Sequence, residues 1–272
     1  MSEQARCEPQ QIVRRIVCYE FPFDFTRALE FALFRTFCVP SISRLLNSSG
    51  EFIRRAQKRY DDTDLLVSEI LEHGYESERG RAAIERINAI HGRFRIANDD
   101  FLYVLSSFIY EPIRWIARFA WRPMQERERL ALFYFWREVG HRMHIHSIPR
   151  DYHEFEQFNS DYERRHFRYT ETNRRVGTAT REMFAAWFPW LPRPLVRRVI
   201  HALLDDTLIE AFGFPRPSRI MRGLVTGSLR LRGRLSGWLP VRQQPRLRTE
   251  LIHRSYPAGY EIGRLGPRAG HQ

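Results

Sequence analysis

Residues 77–94 have the sequence SERGRAAIERINAIHGRF, in which the apolar residues have helical spacing. Its inward positions recur every three or four residues, at Ile84, Ile87, His91 and Phe94. This is the spacing of one face of an α-helix. The stretch therefore predicts an amphipathic helix whose buried face is apolar except for His91.

Helical spacing recurs along the rest of the chain, whereas sustained alternation and Asn-Gly or Asp-Gly hairpin turns are absent. We therefore expect an all-α protein. The connections are short and no internal repeat occurs, which favours one compact helical domain. The Pro-rich break at residues 214–217 divides it into a helical core, 1–217, and a basic C-terminal segment, 218–272, packed on the same domain.

Two local predictions concern the helices on either side of residues 77–94. Asp62 or Thr63 is expected to cap the preceding helix, because short polar side chains satisfy the first free amide groups. Asn98 or Asp99 is expected to cap the following helix in the same way. Pro112 is expected to interrupt that following helix, because proline lacks the amide hydrogen that a helix interior needs.

Most of the basic excess lies near the C-terminus. The formal net charge is +12, and from residue 216 onward twelve arginines face two acidic residues. No nucleic-acid-reading module accompanies them, so we expect no nucleic-acid partner. The Arg-rich amphipathic stretch 224–239 favours peripheral contact with anionic lipid, or simply solvates the outer helices. No run is long and apolar enough to predict a membrane span.

The three cysteines, Cys7, Cys18 and Cys38, form no metal-ligand spacing. Their odd number, with no signal peptide apparent, predicts a reducing compartment and a cytoplasmic location.

His91 admits two interpretations. A lone inward histidine is commonly a core residue bonded to a neighbour, but it is also a ligand type for iron and other metals. Arg59 and Thr63 are four residues apart and fall on one helical face beside Asp62. A cation, a hydroxyl and a carboxylate are therefore expected to lie together, either as a functional cluster or as ordinary helix capping.

A competing metal site is suggested by two Glu-x-x-His motifs, at residues 138–141 and 163–166. Such motifs are typical of di-iron helix bundles when both project inward. Residues 161–166 are charged on every face, so we do not expect Glu163 to point inward. His141, His144 and His146 form either a small metal site or a polar loop.

Several segments resemble the MpaB-type oxygenase family, which includes the rubber oxygenase latex clearing protein. The segments are KRYDDTDLL at 58–66, RINAIH at 86–91, NDDFLY at 98–103, FWREVG at 135–140, Ile148-Pro149, FGFPRP at 212–217 and YPAGY at 256–260. Together they are spread over most of the chain.

The resemblance implies a globin-like core that holds haem b, and oxygenation of a hydrophobic, isoprenoid substrate with dioxygen. It implies that His91 is the proximal haem ligand and therefore the metal-binding residue. It places Arg59 and Thr63 near the distal side of the haem, as catalytic residues.

This sequence departs from the rubber-cleaving members at two cofactor-binding positions. Asp62 stands where they have a lysine that is a second iron ligand, and Asn88 stands where they have an arginine. The departures argue against rubber cleavage and against a lysine-closed haem, while leaving haem binding through His91 intact. They also leave room for a second class of function, a non-catalytic helical module that binds a lipid surface or a partner.

Overall fold

The structure is a computed structural model that describes residues 3–267, with side chains described from residue 8 onward. The side chain of Cys7 and residues 268–272 of the predicted C-terminal segment lie outside this part. Cys18 and Cys38 are buried free thiols.

The described residues form thirteen α-helices and no β-strand. In chain order the helices are α1 (Glu3–Arg15), α2 (Pro22–Thr36), α3 (Pro40–Ser49), α4 (Glu51–Arg54), α5 (Ala56–His73), α6 (Glu78–His91), α7 (Asn98–Phe119), α8 (Glu126–Arg142), α9 (Tyr152–His166), α10 (Glu171–Ala185), α11 (Arg193–Leu203), α12 (Asp206–Phe212) and α13 (Arg219–Ser236). A π-helical turn, Ile16–Glu20, precedes α2, and a 3-10 turn, Ile262–Arg264, follows α13. The all-α prediction is confirmed.

The core is formed by helices that pack in pairs. α2 lies along α7, α5 along α6 and α1 along α8. Large aromatic side chains fill the space between them, and Phe25, Phe135 and Trp136 are almost fully buried. A second apolar cluster around Phe34 and Phe212 joins α2 to α12. Burial of these faces is the main stabilising contribution to the fold.

The capping prediction for Asp62 and Thr63 is wrong. α5 begins six residues earlier than Asp62, at Ala56, with Arg55 at the N-cap. Both residues therefore lie inside the helix, where the backbone amide groups already have partners. Burial of α5 against the core supports the extra turn, which no strong capping residue marks in the sequence.

The predictions for α7 are also wrong at two points. Ala97 occupies its N-cap, and the Asn98 side chain instead bonds the backbone of His146 through Nδ2 and Oδ1, at 2.9 Å each. The helix continues through Pro112 to Phe119. α2 contacts α7 on both sides of the proline, through Arg35 at Glu111 and Asp24 at Trp115, so the loss of one hydrogen bond does not end the helix.

The C-terminal segment lies against the preceding helices. α13 packs on α7 and α11, and the chain then returns along α5 and α6. Arg248 pairs with Asp64, and the Arg86 Nε donates to the Leu265 carbonyl at 2.6 Å. The division at residue 217 stays a prediction.

Candidate functional site

A cavity of about 360 Å³ lies among α2, α3, α5, α6 and α7. Its volume is within the range of small-molecule and cofactor sites. Most of its wall is apolar, and the side chains that form it include Leu66, Ile70, Phe101, Leu105, Phe108 and Trp136. Such a wall suits a flat hydrophobic ring system or a hydrocarbon chain.

His91 is the last residue of α6 and lines this cavity. Ile87 lines it from the same helix, and Phe94 lines it from the turn after α6. Ile84, the fourth residue of the expected face, is buried but does not line the cavity. The buried Nδ1 of His91 has no hydrogen-bond partner among the described residues. Burial, and secondly the charge of Arg59, lower the pKa of His91 to about 4. The imidazole is therefore neutral near pH 7.

Arg59 and Thr63 line the same cavity from α5, one helical turn apart. The Arg59 Nη1 donates to the Thr63 hydroxyl, which in turn donates to the Arg59 carbonyl at 3.0 Å. The guanidinium also lies 5.5 Å from the centre of the Phe52 ring. Burial lowers the pKa of Arg59, opposed by the charges of Asp62 and Glu51. No ion pair joins Arg59 to a carboxylate in the described part of the chain.

Asp62 also lines the cavity, but its carboxylate already has partners. Lys58 pairs with it at 2.9 Å, and the Tyr256 hydroxyl donates to it. The Lys58 ammonium also donates to the Gly266 carbonyl at 3.1 Å. The negative charge at the position of the family's lysine is thus neutralised by a lysine one turn earlier on α5.

Asn88 is the one predicted site residue that does not line the cavity. Its Nδ2 donates to the carbonyl of Arg142 at 2.9 Å. It thereby ties α6 to the end of α8. The structure brings four of the five predicted residues to one cavity and gives the fifth a supporting position.

The cavity wall also includes Asp100, Gly266 and Pro267, which were not predicted as site residues. Asp100 is buried and accepts hydrogen bonds from Ser41 at 2.8 Å and Tyr162 at 2.6 Å. Gly266 and Pro267 reach the wall from the far end of the chain. Asp100 could have been predicted, because it is a polar residue directly before the inward-facing Phe101. No local pattern places Gly266 and Pro267 at the cavity wall.

The two Glu-x-x-His motifs do not form a metal site. Glu163 is mostly buried, contrary to expectation, because Arg35 pairs with it and the Tyr103 hydroxyl donates to it at 2.9 Å. Glu138 pairs with Arg142 at 3.0 Å. Among the side chains of residues 8–267, no group of three or more His, Cys, Asp or Glu could hold a metal ion, the histidines at 141–146 included.

Fold and site define an all-helical protein with an apolar ligand cavity whose wall carries a neutral histidine, an arginine and a threonine. Residues 31–234 match the model of the family described as "ER-bound oxygenase mpaB/B'/Rubber oxygenase, catalytic domain". The chain belongs to this family. His91, Arg59 and Thr63 lie within the matched region, whereas Tyr256 and Gly266 lie beyond it.

Three curated relatives share this similarity. The chain is 37% identical over 153 residues to ER-bound oxygenase mpaB of Penicillium roqueforti (strain FM164), covering 54% of this chain and 51% of the relative. It is 29% identical over 236 residues to ER-bound oxygenase mpaB' of Penicillium brevicompactum, covering 80% and 56%. It is 35% identical over 153 residues to mpaB of the same organism, covering 54% and 39%. The chain thus spans about half the length of the first two relatives.

No helix in the described part of the chain is long and apolar enough to cross a bilayer.

The residues around the cavity fit haem b. A neutral imidazole is the form of histidine that ligates iron, and His91 has this form on the cavity wall. The wall facing it is apolar, as a porphyrin ring requires. Arg59 brings N–H donors to the cavity wall, and Thr63 accepts one of its hydrogen bonds.

Proposed function

We propose that this chain is a haem b-dependent oxygenase that acts on a hydrophobic, isoprenoid substrate with dioxygen. The observation that carries the proposal is the position of His91, a neutral histidine, in one apolar cavity with Arg59 and Thr63. The relatives are named as oxygenases, which supports oxygenation as the reaction class.

Each residue of the cavity has a distinct role in this proposal. His91 holds the iron, and its lowered pKa keeps the imidazole available without competition from protons. The haem, when bound, supplies the redox chemistry that no side chain offers. Arg59 presents N–H donors and positive charge to oxygen atoms, and Thr63 fixes the direction of its guanidinium. The apolar wall binds the hydrocarbon and excludes water.

Asp62 and Asn88 act on the cofactor indirectly. Lys58 is committed to Asp62 and to the Gly266 carbonyl, so it is not free to be a second ligand. We therefore propose that the haem is not closed by a lysine. Asn88 holds the end of α6 against α8, and so holds the backbone that carries His91.

A non-catalytic lipid-binding module is the second candidate function, favoured by the exposed apolar side chains of α13. The word "ER-bound" in the relatives' names supports a membrane-associated protein in either case.

Absorption spectroscopy tests the leading proposal. Protein expressed with ample haem is expected to show a Soret band and about one haem per chain. His91→Ala should lose or shift this band, and added imidazole should restore it. His141→Ala removes an exposed histidine and should leave the spectrum unchanged. A colourless wild-type protein, or a His91→Ala variant with an unaltered spectrum, would overturn the proposal.

A further inference from the structure

α13 presents a row of exposed apolar side chains to the outside of the molecule. Ile220 is 77% exposed, Leu224 63%, Leu231 57% and Leu235 46%. Their spacings of four, seven and four residues place them on one face of the helix, over a length of about 22 Å. We call these four residues the apolar stripe.

The opposite face of α13 packs against the rest of the protein. Gly233 is buried so closely that a Cβ atom there would lie 2.1 Å from the Phe119 carbonyl oxygen. Arg232 reaches inward to pair with Asp24. Gly227, in contrast, lies in line with the apolar stripe, and a Cβ atom there would meet nothing within 4 Å. The apolar stripe therefore has no partner among the described residues.

Exposed aromatic and apolar residues lie next to the stripe. Trp238 is 83% exposed and Leu239 70%, directly after the end of α13. Tryptophan is enriched where a protein meets the boundary between lipid headgroups and acyl chains.

The arginines of α13 divide into two groups. Arg222 and Arg232, on the side toward the protein, pair with Asp206 and Asp24. Arg219, Arg230 and Arg234 lie along one border of the apolar stripe and are exposed. These three form no ion pair within the described chain. These unpaired arginines thus lie beside the exposed apolar stripe.

We propose that α13, together with Trp238 and Leu239, docks on an anionic lipid bilayer. A helix with an apolar face and adjacent arginines lies in the plane of the headgroups, with leucines among the acyl chains and guanidinium groups on the phosphates. Self-association through this face is disfavoured, because a two-fold contact would bring the same unpaired arginines of both copies together. Charge complementarity therefore favours an anionic surface over a second copy of the chain.

Vesicle sedimentation of the full chain tests this docking. We expect co-sedimentation with vesicles of phosphatidylcholine and phosphatidylserine (7:3), and much weaker binding to phosphatidylcholine alone. Leu224→Gln/Leu231→Gln should weaken binding at least about tenfold, from the loss of buried apolar area. Arg230→Gln should weaken it about fivefold, the factor for one arginine at an anionic surface. Ile252→Gln, an exposed apolar residue outside α13, is the matched control and should bind as wild type.

Fluorescence locates the contact independently. Quenching by brominated phosphatidylcholine, mixed with phosphatidylserine, is expected in wild type and should fall in Trp238→Phe, which keeps an apolar ring. Equal binding to both vesicle types, or equal losses in the stripe variant and the control, would overturn the proposal. A dimer in sedimentation velocity that Leu224→Gln/Leu231→Gln abolishes would assign the stripe to self-association instead. Unchanged helicity and haem content in the variants separate a docking failure from a failure of the haem proposal.

Discussion

Substitution of His91 is expected to change how the stability of the haem-free protein depends on pH. The pKa of His91 falls from its ordinary value of 6.5 to about 4 in the folded chain. Its causes are burial beside the cavity and, to a smaller extent, the charge of Arg59. The unfolded chain therefore binds more protons than the folded chain between pH 6.5 and pH 4, and stability falls as the pH falls through this window.

The size of the effect follows from these two pKa values. From pH 7 to pH 5, the difference in proton binding at His91 lowers the free energy of unfolding by about 2 kcal/mol. His91→Gln removes the titrating group and keeps a polar side chain of similar length. The loss of stability between these two pH values should therefore be about 2 kcal/mol smaller in the variant than in wild type.

Urea unfolding at pH 7 and pH 5, followed by circular dichroism, measures the difference. Other shifted groups, such as His201 with a pKa lowered to about 4 and Glu30 with a pKa raised to about 7, contribute equally to both proteins. They therefore cancel in the comparison. His141→Gln, at an exposed histidine, should behave as wild type. If wild type and His91→Gln lose the same stability between pH 7 and pH 5, the conclusion that folding lowers the pKa of His91 is refuted.

Two further predictions concern the packing that supports the site, each checked by urea unfolding at pH 7. Gly233→Ala should destabilise the protein by about 1–3 kcal/mol, because its Cβ would meet the Phe119 carbonyl at 2.1 Å. Gly227→Ala, in open space on the same helix, should be neutral or stabilising by up to about 1 kcal/mol. A larger loss of stability in Gly227→Ala than in Gly233→Ala would contradict the packing of α13. Arg35→Met should cost about 3–5 kcal/mol, because it leaves the mostly buried Glu163 carboxylate without its cation. Arg164→Met breaks only an exposed ion pair and should change stability by less than about 1 kcal/mol. Similar losses of stability in Arg35→Met and Arg164→Met would refute the stabilising role of Arg35.

The sequence determined those features that depend on a few neighbouring residues. The spacing of residues 84–94 placed His91 on an inward face, and the structure has His91 and Ile87 on the cavity wall. Arg59 and Thr63, four residues apart, were expected on one helical face and do meet there. Helix geometry fixes both results, because positions three or four residues apart lie on one side whatever the rest of the chain does.

Boundaries and charges required the tertiary structure. Asp62 is a residue type that commonly caps helices, yet it lies inside α5. Its carboxylate accepts a hydrogen bond from Tyr256, 194 residues away. Glu163 had charged neighbours on every side, yet it is mostly buried because Arg35, 128 residues away, neutralises it.

The cavity itself likewise depends on distant parts of the chain, since Gly266 and Pro267 complete the wall that α5 and α6 begin. A local pattern states which side chains share a face, but not which distant group will meet them. Burial of a charge is decided by that partner, because an unpaired charge is expelled from the interior and a paired one is retained.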